Sequence, residues 1–419
     1  MRNISHVLTV LLLVTGIAQA QTTDSLDIKI GQMLLIGIPK AEVDPLVLEE
    51  VRAGKAGAII LFEKNIPKGT ASFTALKKII WAYQQAAPTT LLVAIDQEGG
   101  KVNRLKDKYG FARSITAQEM GKATNLDSVR FFAESTAATL AGLGFNVNFA
   151  PVVDLGVNKD NTVIYKAGRS FSANPDSVTL MAEEFIKPHR RLGVITVLKH
   201  FPGHGSSMAD THFGVADVTR TWTSAELIPY QKLIGAHQAD AIMSAHIVNK
   251  QLDPSGLPGT LSKRILDSLL RKQMNYDGVI FSDDMQMQAI AKQYGLEEAI
   301  RLSINAGIDI LCFSNNIQDS ENRTVNRVHT IIRSMVEKGQ ISRERIDKSY
   351  QRIRKLKARV NHSGEENMWR DLEASRNENA ALRRQVEELR QAPVVKSNPP
   401  ADSTREEPKS KKKKKKKSK

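Results

Sequence analysis

The chain has 419 residues, a formal charge of +15 and a single cysteine, Cys312. One cysteine excludes an intramolecular disulfide framework, so stability must come from a hydrophobic core. The charge does not point to nucleic acid: residues 391–419 hold 11 Lys/Arg against 3 Asp/Glu and supply +8 of the +15, leaving a globular part that is only mildly basic.

In chain order, the first segment has the pattern of an export signal. Arg2 and His6 give a polar start, Val7 to Ile17 is mostly apolar, and Ala18-Gln19-Ala20 fits a small-x-small cleavage site. The apolar run is shorter than the roughly 20 residues that span a bilayer, and no cysteine follows it to carry a lipid. Residues 1–20 are therefore expected to be a signal peptide, and the protein to be exported to the periplasm or the medium.

Residues 21–360 read as one globular unit. Eight short apolar runs recur in it: Met33–Ile38, Ala58–Phe62, Leu91–Ile95, Phe145–Val153, Val194–Leu198, Ala241–Ile247, Gly278–Phe281 and Ile308–Phe313. Runs of this kind suit strands buried on both faces. Amphipathic helices fill most gaps. One spans Asp176 to Leu192, with Asn174 as its cap, Pro175 at its first position and Gly193 after its end; Pro188 predicts a kink or an early stop. Another spans Ser262 to Met274, with Ile265, Leu266, Leu269 and Leu270 on one face. Strands alternating with helices imply an α/β fold, a single (β/α)8 TIM-type barrel. An open doubly wound sheet is the competing architecture, but no Gly-rich phosphate loop follows the first strand. Cys312, in the last apolar run, reads as a buried and inert thiol.

Beyond Val360 the composition changes. Over residues 361–391, Met368, Leu372, Ser375, Asn379, Leu382, Val386 and Leu389 step by alternating fours and threes. This is a heptad seam with Asn379 and Val386 at a and Leu382 and Leu389 at d. A helix is expected there, either solvated alone or paired in a coiled-coil dimer through 368–389. Residues 392–419 are expected to be disordered. The run Lys411–Lys417 would touch an anionic envelope surface by charge alone, or serve only to solubilise.

Polar residues gather where barrel active sites form, at the carboxyl ends of the strands. The third run ends in Asp96-Gln97-Glu98-Gly99-Gly100 and the fourth in Asp154. The fifth leads into Lys199-His200-Phe201-Pro202-Gly203-His204-Gly205, the sixth ends near His246, and the seventh leads into Ser282-Asp283-Asp284. Displacement at an anomeric carbon needs a carboxylate to attack and a group to protonate the leaving oxygen. Asp283 suits the first role, with Asp284 pointing the other way because strand side chains alternate. For the second, Asp210-Thr211-His212 places a carboxylate two residues from an imidazole, close enough to pair if the loop turns, and such a pair fixes the tautomer and tunes proton transfer. Gly203, Gly205, Ser206 and Ser207 make the loop before this pair look built to move. His200, His204, His212 and His246 imitate a zinc cluster, but Pro202 and the glycines suit a loop better than a rigid cage, so neither metal nor other cofactor is expected.

Here the residues resemble a known family. The run KHFPGHGSSMADTHFG, Lys199 to Gly214, resembles the fingerprint of glycoside hydrolase family 3, in the β-N-acetylglucosaminidase branch that trims cell-wall muropeptides. DQEGGKVNRL (Asp96 to Leu105), NFAPVVDL (Asn148 to Leu155), GRSF (Gly168 to Phe171) and VIFSDDM (Val279 to Met285) are similar to the same branch, in the same order, over roughly residues 27–358. The resemblance implies Asp283 as nucleophile, His212 as acid/base paired with Asp210, and Asp96, Arg104, Arg169, Lys199 and His200 as sugar-contacting residues. Lys101, where the family more often has Arg, and Thr211, in place of a common Ser, keep charge or hydroxyl. The implied activity is retaining exo-hydrolysis of terminal β-linked N-acetylglucosamine, with a small glycan as substrate and no nucleic acid partner. A phosphorylase or β-glucosidase on the same barrel, and a non-catalytic wall-binding protein, are the rival readings. Many relatives of this branch are cytosolic; the export pattern instead implies action outside the inner membrane.

Overall fold

The computed structural model describes residues 25–360 apart from 70, 124–125, 209–213 and 317–324. The expected signal peptide, the heptad helix, the basic tail and the pair Asp210 and His212 lie outside the described residues.

The eight apolar runs each supply one barrel strand. These are β1 (Leu34–Gly37), β2 (Ala58–Leu61), β3 (Leu92–Ile95), β4 (Val147–Asn148), β5 (Ile195–Phe201), β6 (Ala241–Ser244), β7 (Val279–Asp284) and β8 (Ile310–Phe313). All neighbours pair in parallel, and β1 pairs with both β2 and β8, so the sheet closes into a (β/α)8 barrel. β1, β2, β3 and β8 are buried along their whole length, as both-face burial requires. The Cys312 thiol lies inside, and burial pushes its pKa well up.

Two strands fall well short of their apolar runs, by three residues or more, for identifiable reasons. At β4, side chains replace part of the backbone ladder. Asn146 accepts the Val93 N–H at 2.7 Å and donates to the Leu91 carbonyl at 2.8 Å. Asn148 accepts the Gln97 N–H at 3.1 Å, and Pro151 has no N–H to continue the ladder. The sixth run breaks after Ser244. Its last residue, Ile247, belongs with Val248 to a separate two-stranded parallel sheet, paired with Ala216–Asp217.

The helices follow their apolar faces more closely than their expected ends. Asn174 caps the helix Pro175–Arg191 by accepting the Asp176 and Ser177 N–H groups at 2.8 and 3.0 Å. Pro188 does not stop it: the helix runs on to Arg191. This close to a helix end, a proline removes only one ladder donor. The segment expected as an α-helix over 262–274 forms a π-type helix, Arg264–Gln273, ending with Met274 N–H on the Leu269 carbonyl. Ile265, Leu266 and Leu270 are buried as expected. An apolar period specifies which face is covered, not the ring size of the backbone hydrogen bond.

The amino-terminal end of the barrel is tied by ion pairs. Asp309, fully buried before β8, accepts from Arg271 at 2.6 Å and from Arg345 at 2.9 Å. Asp240, before β6, accepts from Arg190 Nε at 2.9 Å. A cavity of about 720 Å³ opens at this end, lined by Asp240, Tyr276, Arg352 and Arg359 among others. The candidate site lies at the opposite end, where the strands finish.

Candidate active site

The site starts with the turn after β3. Gln97 folds it back: its Oε1 accepts the Arg104 and Leu105 N–H groups at 3.0 and 3.1 Å, and its Nε2 donates to Asn103 at 2.5 Å. Gly99 and Gly100 have φ of 100° and 59°, and a Cβ on Gly99 would lie 2.1 Å from the Ile115 carbonyl oxygen. Only glycine takes this path without strain. Asp96, Glu98 and Arg104 are thereby gathered at one rim.

β5 supplies the opposing charges. Leu198 pairs with Ile242 and Phe201 with Ser244, so three steps on β5 match two on β6. A bulge of this kind breaks side-chain alternation, and consecutive residues then reach one network. Lys199 Nζ donates to Asp96 at 2.8 Å and to Glu98 at 2.6 Å. Arg169 grips Glu98 with both arms, at 2.7 and 2.8 Å. Arg104 approaches Asp96 at 3.4 Å. Burial raises the Glu98 pKa, but Arg169 and Lys199 outweigh it and hold the carboxyl well below the usual range. Glu98 joins this network although no sugar-contacting role was expected of it; its place at a strand end was the available signal.

The His200 ring has a defined tautomer. Arg169 NH2 is a donor only and lies 3.2 Å from Nε2, so Nε2 accepts. Nδ1 therefore carries the hydrogen and donates to Asp154 Oδ2 at 2.6 Å. Asp154 Oδ1 accepts the backbone N–H of His200 at 3.1 Å and of His204 at 2.8 Å. Asp154, 1% exposed, is thus the hub that fixes His200 and the turn behind it. His204 is buried with neither ring nitrogen bonded to a described protein atom, and burial pulls its pKa down to about 4, keeping it neutral.

β7 carries a second bulge. Phe281 pairs with Ile310 and Asp284 with Cys312, again three steps against two. The Ser282 hydroxyl accepts the Cys312 N–H at 2.9 Å, satisfying a donor beside the disrupted ladder. Asp284 is committed to structure: it accepts the N–H groups of Gln286 at 3.1 Å and Ser314 at 3.2 Å, and the Ser314 hydroxyl. Burial pushes its pKa up to about 6. Asp283 is half-buried, and its Oδ1 accepts the Asp284 N–H at 2.8 Å. Beyond burial, Asp284, Asp283 and Asp96 all raise the Cys312 pKa. The three carboxylates therefore lie on the Cys312 side of the barrel, near enough for their charges to be felt there. His246 braces the same corner, with Nδ1 2.9 Å from Thr260 Oγ1 and Nε2 2.9 Å from the Asp284 carbonyl. Among the described residues, no group of three or more His, Cys, Asp or Glu is placed to hold a metal ion.

The model for the glycosyl hydrolase family 3 N-terminal domain matches residues 25–356. The chain belongs to glycosyl hydrolase family 3. A β-hexosaminidase of Tolumonas auensis is 36% identical over 288 residues, covering 68% of this chain and 83% of its own. A β-hexosaminidase of Haemophilus influenzae is 31% identical, covering 82% of this chain and 99% of its own. The structure of a glycoside hydrolase family 3 β-N-acetylglucosaminidase from a Paenibacillus species superposes with a TM-score of 0.74 at 31% identity, covering 80% of this chain and 62% of that one.

In this family 3 barrel, Asp96, Arg104, Arg169, Lys199 and His200 come together as one network, with Asp283 at the same rim. The loop after β5 differs from its expected mobility over residues 203–207. A Cβ on Gly205 would lie 2.0 Å from the Leu155 carbonyl oxygen, and Ser206 and Ser207 are buried. Gly205 serves close packing, and this part of the loop is a built turn. Sequence reasoning passed over Glu226, buried against that turn, because it lies in a short helical segment, Ser224–Leu227, far from any strand end.

Proposed function

We propose that the protein is a retaining exo-β-N-acetylhexosaminidase acting on terminal β-linked N-acetylglucosamine in muropeptides or related glycans. The observation that carries this is the rim itself. A carboxylate on a bulged strand end stands with a network of Asp96, Glu98, Lys199, Arg169 and His200 suited to a neutral, hydroxyl-rich ring. Every buried hydroxyl must find a partner, and Asp96, Arg104, Arg169, Lys199 and His200 supply acceptors and donors. The names of the similar proteins support hexosamine as the sugar.

In the first step an Asp283 oxygen bonds to the anomeric carbon. The bond from that carbon to the leaving oxygen breaks, and its electron pair takes a proton from His212, oriented by Asp210. In the second, water attacks the same carbon, gives a proton to His212, and the bond to Asp283 breaks. The configuration is retained after two inversions. Asp284 takes no part, because its oxygens already hold Ser314 and Gln286. The export pattern supports action in the periplasm or medium, and the heptads and lysine run support a dimer and contact with anionic surfaces.

Asp283→Ala is expected to lower release of a chromogenic N-acetylglucosaminide by at least about a thousandfold, with the fold unchanged by circular dichroism. Near-normal turnover would remove Asp283 from its role.

A further inference from the structure

Glu226 is 1% exposed and has no cationic partner among the described residues. Its Oε2 accepts the Gly205 N–H at 3.0 Å and its Oε1 the Ser206 N–H at 2.9 Å. Gly203 lies flat against it: a Cβ there would come within 2.5 Å of the Glu226 Cβ. From the other side, Asp154 Oδ1 holds the His204 N–H at 2.8 Å. Two carboxylates thus grip one turn, and that turn joins His200 to the segment bearing Asp210 and His212.

Burying a carboxylate without a counter-ion is costly, and a neutral amide would fill the same space. The geometry gives a reason for the acid. An ionised carboxylate accepts through both oxygens, whereas protonation turns one oxygen into a donor facing an N–H. Among the described residues, the titratable groups around it are Asp154 after β4, His204 in the turn itself and Tyr230 on the next helix, Ile228–Gly235. None supplies a positive charge at neutral pH, since burial keeps His204 neutral.

We propose that Glu226 is a positioning residue for the hydrolase: in its ionised form it clamps the Gly205–Ser206 turn and so sets the alignment of the acid/base segment, and protonation releases the clamp. Burial first, then the Asp154 charge, pushes the Glu226 pKa up to about 7, against the lowering by its hydrogen bonds to Gly205 and Ser206. The clamp therefore changes state near neutral pH. This rests on the hydrolase reading above.

The test joins kinetics with hydrogen exchange on the full chain. Wild-type kcat for a chromogenic N-acetylglucosaminide should fall on the acid side of about pH 7. In Glu226→Gln that limb should vanish, with kcat about tenfold lower, as for one lost hydrogen bond to a charged group, and KM within about threefold because the Asp96–Lys199 contacts remain. Exchange of the Gly205 and Ser206 amides should quicken about tenfold in the variant. In the wild type it should quicken below pH 7 after correction for the intrinsic rate. Unchanged exchange, or a variant with wild-type kcat and the same acid limb, overturns the clamp. Altered exchange with no wild-type turnover on any hexosaminide keeps the clamp and overturns the hydrolase reading. If Glu226→Gln does not fold, the wild-type exchange profile decides alone.

Discussion

At the residue scale, adjacent aspartates on one strand have opposite assignments because their surroundings differ. Both are half-buried, but Asp284 commits its oxygens to Ser314 and Gln286, while Asp283 accepts the Asp284 N–H at the rim. The Asp284 pKa is raised from 3.8 to about 6 by burial. A raised acid pKa contributes stability that is fully present below the unfolded value and is lost as pH rises through the folded one, by about 1.4 kcal/mol for each pH unit that separates the two values. Asp284→Asn cannot ionise. Wild type should therefore lose stability relative to this variant as pH rises from 4 to 8, measured by denaturant midpoints. A constant difference would mean that Asp284 is not the acid of raised pKa described. The sequence marks Asp283 by its place at a strand end, but it does not show which aspartate is taken up by Ser314, a residue about thirty positions away.

At the element scale, two bulges do what regular strands cannot. Alternation sends neighbouring side chains to opposite faces, yet Lys199 and His200 both enter the charged rim. The bulges in β5 and β7 lie at the two strands that carry most of the chemistry. The turn after β5 extends this by close packing. Gly205→Ala should cost about 1–3 kcal/mol, because the obstacle to a Cβ is the Leu155 backbone rather than a flexible side chain. An unchanged denaturation midpoint would show that the turn yields. The glycines of this loop were legible as glycines, but their use was not: mobility and close approach look alike in one dimension.

At the scale of the whole molecule, the last described helix, Arg343–Lys357, is tied to the amino-terminal end of the barrel through Arg345 and Asp309. Lys357 is buried and donates to Gln32 at 2.5 Å and to the Gly57 carbonyl at 2.8 Å, joining that helix to the segments that lead into β1 and β2. Burial draws its pKa from 10.5 down to about 7. A depressed pKa contributes stability that is fully present above the unfolded value and is lost as pH falls to the folded one. Lys357→Met should therefore gain on wild type as pH falls from about 10 to about 7, read as a rise in the variant's unfolding temperature minus that of wild type. A fall in that quantity would contradict this.

Local information was enough for the parts of this protein set by local physics. The eight apolar runs specify strands because continuous burial on two faces demands apolar side chains at every position, and Asn174-Pro175 specifies a helix start because both residues act on the first turn. The strand ends marked the rim. Tertiary structure alone decided which charges pair across it. Glu98, Asp154 and Glu226 owe their roles to partners brought near by barrel closure, and a burial cost or a shared proton exists only once the chain has surrounded the group.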